Sequence, residues 1–174
     1  CIAYALAAGL PELQAAYAVE LSEEALQVAA RNFDSLRSAT GRGVQLYRED
    51  LFRLVQSAEG PLPRGLDLIV SNPPYIHPEE AAAMSPQVLE HEPHLALFAP
   101  ETSPIAYYLA LARLVQQGYL RPGGSLWVEL NPRYAEETLE AMCRIVGPEA
   151  CTAELLRDLS GKLRFVHLHY SPQL

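Results

Sequence analysis

The chain has 174 residues, 49% of them hydrophobic, enough for one globular domain with a sizeable core. A formal charge of -8 and a pI near 5.1 argue against DNA or RNA as the main substrate, because nucleic-acid binders use a basic footprint to displace phosphate counterions. No apolar run approaches the roughly 20 residues that cross a bilayer, and the opening residues lack a signal-peptide pattern. Cys1, Cys143 and Cys151 have no CxxC spacing, which suits free thiols in a reducing cytoplasm.

Strand-like and helix-like segments alternate, predicting an α/β domain with a mostly parallel sheet. The first residues read as a helix that stops at Gly9, with Pro11 just beyond. Cys1 falls inside this helical pattern and is not Met, so further sequence is expected upstream. Ala15 to Glu20 reads as a short buried strand. Ser22 then caps a helix that carries Glu23 and Glu24 in its first turn, runs to about Ser38, and turns Leu26, Ala29, Ala30 and Phe33 inward. Val44 to Arg48 is the next strand, ending at Glu49-Asp50, and Leu66 to Ser71 the third. A long segment from Ile76 to Pro104, punctuated by four prolines, reads as an irregular functional loop. A helix from Ile105 to Gln117 follows. Pro122-Gly123-Gly124 is expected to turn the chain into the strand Ser125 to Leu130, and Pro132 to begin a helix reaching Val146. Ala150 to Leu156 and Leu163 to Tyr170 form the expected antiparallel closing pair.

In open α/β sheets ligands bind beyond the carboxyl ends of the strands. Glu20, Asp50, Asn72 and Glu129 each fall at such an end, where they form a polar constellation. Ser71-Asn72-Pro73-Pro74-Tyr75-Ile76 is the most specific piece of it. A residue before proline is pushed to extended geometry, and two consecutive prolines remove two N–H donors, leaving a stiff turn rich in acceptors. The Asn72 side-chain carbonyl and the Pro73 backbone carbonyl could accept both hydrogens of a planar NH2 group, with Tyr75 lying over its flat face. Such a grip orients a poorly nucleophilic nitrogen towards an electrophilic methyl group and stabilises the positive charge that develops on it. An amide and an adenine amino group both fit this description.

Other features read more plainly. His91 with His94, and His167 with His169, lack the further ligands a metal site needs. Gly123-Gly124 is not followed by a phosphate-loop helix. Glu136, Glu137 and Glu140 read as a solvated helix face, Trp127 as a core residue, and Asn131-Pro132 as a helix start.

With these residues in place, the chain resembles the protein N5-glutamine methyltransferases over nearly its whole length. Beyond the Asn-Pro-Pro-Tyr turn, the similarity runs through Val88 to Phe98, with Glu92-Pro93 and Ala96-Leu97-Phe98. It continues through Leu120-Arg121-Pro122-Gly123-Gly124 and Asp158 to Arg164. The resemblance implies a Rossmann-like, class I S-adenosylmethionine-dependent methyltransferase sheet, mostly parallel with an antiparallel C-terminal strand. Residues 1–174 would be its catalytic domain, truncated at the N-terminus and lacking the first, central strand. It implies S-adenosylmethionine as methyl donor and the glutamine of a Gly-Gly-Gln tripeptide in peptide-chain release factors as acceptor. By position, Asn72, Pro73 and Tyr75 would be catalytic and, with Pro74, would bind the substrate. Glu20 would bind the cofactor ribose, Asp50 and Leu51 would lie beside the adenine, and Asn72 would also approach the cofactor.

Three departures from the family pattern stand out. The glycine-rich turn that wraps the cofactor would precede Cys1, so the chain is expected to carry only part of the cofactor site. Ala99 to Pro104 replaces a glycine-rich stretch, and Leu130-Asn131-Pro132 stands where a glycine is common. The alternatives are a ribosomal-protein glutamine methyltransferase, an adenine-N6 nucleic-acid methyltransferase, and a non-catalytic binding module. Label on ribosomal protein, label on DNA and no methyl transfer, respectively, separate them from the first reading.

Overall fold

A computed structural model describes residues 1–57 and 59–173, with the chain divided into two compact units, Cys1–Leu62 and Pro63–Leu174. The first unit has the order α1 (Ile2–Gly9), β1 (Tyr17–Glu20), α2 (Glu23–Thr40), β2 (Gln45–Arg48) and α3 (Leu51–Leu54). Ser22 caps α2 as expected, its Oγ accepting from the Ala25 N–H at 3.2 Å. Gly41, at φ 74°, ends the helix in the left-handed region that glycine adopts without strain. α2 links the parallel strands β1 and β2 as their crossover. Ala7, Phe33, Leu36 and Val44 form the buried core. Ala30, read as inward-facing, is exposed, and Leu36 takes an inward place instead. The guanidinium of Arg42 donates to the Ala7 and Ala8 carbonyls, both at 3.2 Å, satisfying the C-terminal end of α1.

The second unit contains β3 (Leu66–Ser71), a 3-10 turn at Pro78–Ala83, the short helices α4 (Pro86–His91) and α5 (His94–Leu97), and α6 (Ala106–Gln116). There follow β4 (Leu120–Glu129), a 3-10 turn at Pro132–Tyr134, α7 (Ala135–Val146), β5 (Cys151–Arg157) and β6 (Leu163–Tyr170). Its four strands lie in the order β3-β4-β6-β5, the first pair parallel and the others antiparallel, as the sequence predicts for the C-terminal end. Helices α6 and α7 pack against each other and on the sheet, covering Leu126, Val128, Val166 and Leu168, which are all at most 1% exposed. The alternate residues of the strands point the other way. There Trp127, half-buried rather than a core residue, stacks on His167 with ring centroids 4.2 Å apart.

The strands form a parallel pair and a four-stranded mixed sheet, in line with the expected α/β architecture and its antiparallel C-terminal strand. Two other expectations change. Pro122-Gly123-Gly124 does not precede β4 but lies inside it. Between Leu66↔Leu120 and Leu68↔Ser125 the register shifts, so these residues bulge, and a Cβ on Gly124 would come within 2.8 Å of the Leu120 side chain. The segment Ile76–Pro104 is not irregular. Ser85 caps α4 with Pro86 in its first turn, and His77 with Glu80 forms a capping box around Pro78, so local capping organises it into short helical turns.

Candidate active site

β3 ends at Ser71, and the chain then leaves the sheet through Asn72, Pro73, Pro74 and Tyr75. Pro73 is buried and Pro74 half-buried, whereas Asn72 is exposed. Among the described residues no group hydrogen-bonds the Asn72 side chain, so its amide is open to a ligand.

Tyr75, by contrast, is held at both ends. Its backbone carbonyl accepts from Asn131 Nδ2 at 3.3 Å. Its hydroxyl donates to Glu129 Oε1 at 3.0 Å and accepts from Arg164 Nη1 at 3.4 Å. Burial first, and then the Glu129 carboxylate, raise the Tyr75 hydroxyl pKa above its ordinary value of 10.0. Glu129 closes β4, the parallel neighbour of β3, which is why two residues distant in sequence meet at adjacent strand ends. Tyr108 on α6 adds a hydrogen bond from its hydroxyl to the Glu129 carbonyl at 3.1 Å.

Arg164 lies 3.9 Å from Glu129 Oε1, and its Nε is 3.5 Å from Asp158 Oδ2. Asp158 is fixed by the β5–β6 turn. Its other carboxylate oxygen accepts from the Ser160 hydroxyl at 2.7 Å and from the Ser160 and Lys162 N–H groups at 2.9 and 3.0 Å. These bonds, that from the Ser160 hydroxyl foremost, hold the Asp158 carboxyl at about 2, below its ordinary 3.8.

A second tether lies on the other side of the turn. Asn131, 8% exposed, caps the 3-10 turn after β4 by accepting from the Arg133 N–H at 3.0 Å. Its Nδ2 donates to Glu80 as well as to Tyr75. Read from sequence as a helix start only, Asn131 is also a brace. The ends of the segment that follows are joined by a parallel bridge, in which the Ile76 N–H donates to the Leu97 carbonyl at 3.0 Å and the Ala99 N–H to the Ile76 carbonyl at 2.9 Å.

In the first unit, Glu20 and Asp50 stand at the carboxyl ends of the neighbouring strands β1 and β2. Glu20 Oε1 accepts from the Ser22 N–H at 2.9 Å, and Asp50 Oδ1 from the Phe52 N–H at 2.8 Å, capping α3. The second oxygen of each carboxylate has no hydrogen-bond partner among the described residues. Leu51 is half-buried at the start of α3. A concavity of about 470 Å3 in this unit is lined by Glu49, Arg53, Leu54, Gln56 and Ser57, and by none of the predicted site residues.

Two of the histidines, His94 and His167, are occupied locally. His94 Nε2 is 3.3 Å from the Leu89 carbonyl, and His167 sits between Glu154 and Ser125. Among the described residues no three His, Cys, Asp or Glu side chains gather as metal ligands. Nor is any described helix long and apolar enough to cross a membrane.

No family model matches the chain. Individual relatives do. The release factor glutamine methyltransferase of Bacteroides thetaiotaomicron is 36% identical over 166 residues, covering 95% of this chain and 55% of that protein. The protein of the same name from Deinococcus radiodurans is 38% identical over 168 residues, covering 95% and 52%. This stretch of sequence belongs to the release factor glutamine methyltransferase family. The chain spans about half the length of the curated relatives it matches.

Solved structures agree on the fold. The catalytic domain of hMettl16 matches with a TM-score of 0.63 at 18% identity, covering 98% of this chain and 60% of that one. A methyltransferase from Pyrococcus furiosus matches with a TM-score of 0.55 at 16% identity, covering 91% and 64%. The fold is thus that of the class I methyltransferases. Glu80 and Arg164 were not singled out from sequence, and Asn131 was read only as a helix start. The Asp158–Arg164 similarity pointed at the region of Arg164, but no local pattern reveals a contact across strands.

Proposed function

We propose that the protein carrying this stretch transfers a methyl group from S-adenosylmethionine to the side-chain amide nitrogen of glutamine in the Gly-Gly-Gln of a peptide-chain release factor. The observation that carries this reading is the Asn72 amide, exposed at the end of β3 and without a partner among the described residues, beside a Tyr75 held at both ends. The similarity to release factor glutamine methyltransferases supports glutamine over adenine as the acceptor.

Asn72 Oδ1 and the Pro73 carbonyl accept the two hydrogens of the substrate NH2 group. They orient the nitrogen and stabilise the positive charge that grows on it. Tyr75 walls the site. Its raised pKa keeps the hydroxyl protonated, so it is not the base that removes the departing amide hydrogen. When bound, S-adenosylmethionine supplies an electrophilic methyl group on a positively charged sulfur. The donor set fits such a group: the second oxygen of Glu20 would accept from ribose hydroxyls, Asp50 and Leu51 would lie beside the adenine, and both carboxylates favour a cation. Release factors work in the cytoplasm, and the enzyme would act there.

Methyl transfer from labelled S-adenosylmethionine by the full-length protein tests the reading, with release factor, ribosomal proteins and DNA offered in parallel. Label is expected on a release-factor glutamine. Label on ribosomal protein or DNA alone overturns the assignment, and no label on any of them leaves a binding module.

A further inference from the structure

The Tyr75 hydroxyl meets two charged side chains, an expensive arrangement for a residue whose work is to present a flat ring. Phenylalanine would supply the same ring and need neither partner. We infer that Glu129 and Arg164 are positioning residues that fix the orientation of the Tyr75 ring beside Asn72, with Asp158 holding Arg164 in place. This inference rests on the reading of the Asn-Pro-Pro-Tyr turn as the substrate clamp.

The geometry is one of successive restraints. A tyrosine ring has two rotatable side-chain bonds, so anchoring its backbone and its hydroxyl leaves it little freedom. Asn131 anchors the backbone carbonyl, and Glu129 receives the hydroxyl hydrogen at 3.0 Å. Arg164 faces that hydroxyl with one arm of its guanidinium and Asp158 with another atom of the same rigid plane. Its backbone is placed by the sheet, because the Leu130 N–H donates to the Arg164 carbonyl at 2.8 Å and Glu129 pairs with Phe165. The Glu129 and Arg164 side chains are 28% and 27% exposed, so water screens their interaction only in part. A chain of contacts therefore runs from the β5–β6 turn through Arg164 and Glu129 to the ring at the end of β3.

The test uses the full-length protein with Glu129→Gln, Asp158→Asn and Tyr75→Phe, and each of the first two combined with Tyr75→Phe. Glu129→Gln should lower kcat for release-factor methylation about tenfold while leaving the KM for S-adenosylmethionine unchanged. In the Tyr75→Phe background the same substitution should have no further effect. An undiminished effect there overturns the inference, because a merely structural role would not depend on the hydroxyl.

A second readout does not need turnover. In 13C-tyrosine-labelled wild-type protein the Tyr75 ring signals should be sharp, and Glu129→Gln or Asp158→Asn should shift and broaden them as the ring samples further χ1 positions. Ring signals that stay unchanged in both variants overturn the inference. Shifted and broadened signals in a protein that methylates nothing would support the positioning role and reject the proposed function.

Discussion

Asn131 Nδ2 lies 2.9 Å from Glu80 Oε1 and 3.3 Å from the Tyr75 carbonyl, so a single buried amide joins the clamp turn to the segment that follows it. Glu80 is itself engaged with the His77 N–H at 3.0 Å. Replacing Asn131 with alanine leaves a carboxylate and a carbonyl without their donor and removes the cap on the Arg133 N–H. The expected loss is about 2 kcal/mol of stability, read as a lower urea midpoint with an unchanged slope. A variant as stable as wild type would show that water replaces the amide at no cost.

Asn72→Ala removes an exposed amide with no partner among the described residues, so folding should be untouched. Methyl transfer should fall by roughly 100- to 1,000-fold, the loss typical of deleting one group that stabilises transition-state charge. Cofactor affinity measured by calorimetry should change little. Near-normal turnover would remove Asn72 from the mechanism.

The Asp158 carboxyl sits at about 2 in the folded chain against an ordinary 3.8. A depressed carboxylate contributes stability that is fully present above its unfolded value and is lost as pH falls through the folded one. Stability should therefore decline between about pH 4 and pH 2, and Asp158→Asn should lack that part of the decline. Denaturant midpoints measured across this range decide the point; identical acid profiles would exclude a contribution from the turn.

Thr138 on α7 is fully buried, and its hydroxyl has no hydrogen-bond partner among the described residues. A buried hydroxyl without a partner carries an uncompensated desolvation cost. Thr138→Val keeps the shape and removes the hydroxyl, so it should stabilise the protein by about 1 kcal/mol and raise the thermal midpoint. A lower midpoint would mean that the hydroxyl is satisfied in solution.

Local chemistry was readable from the chain because its causes lie within a few residues. Ser22 capping a helix and proline forcing Asn72 out of helical geometry each need only their neighbours. What depends on distant partners was not readable. The bulge that carries Pro122-Gly123-Gly124 into β4 is set by pairing with β3. Glu129 was visible as a strand end, but its tie to Tyr75 and Arg164 requires three strands to be in place. The short turns between Ile76 and Pro104 escaped because four-to-six-residue helices carry too few positions to show a period.

The bridge between Ile76 and Phe98 gives the intervening segment a narrow neck whose two ends stay together whatever lies between them. Closing a longer loop is entropically mild, about 0.6 kcal/mol for each doubling of its length. Insertions between residues 77 and 97 should therefore leave the strands undisturbed. Under the proposed function, such insertions would remodel the surface that follows the Asn72–Tyr75 turn, and with it the shape of acceptor admitted, while the residues beneath stay as they are.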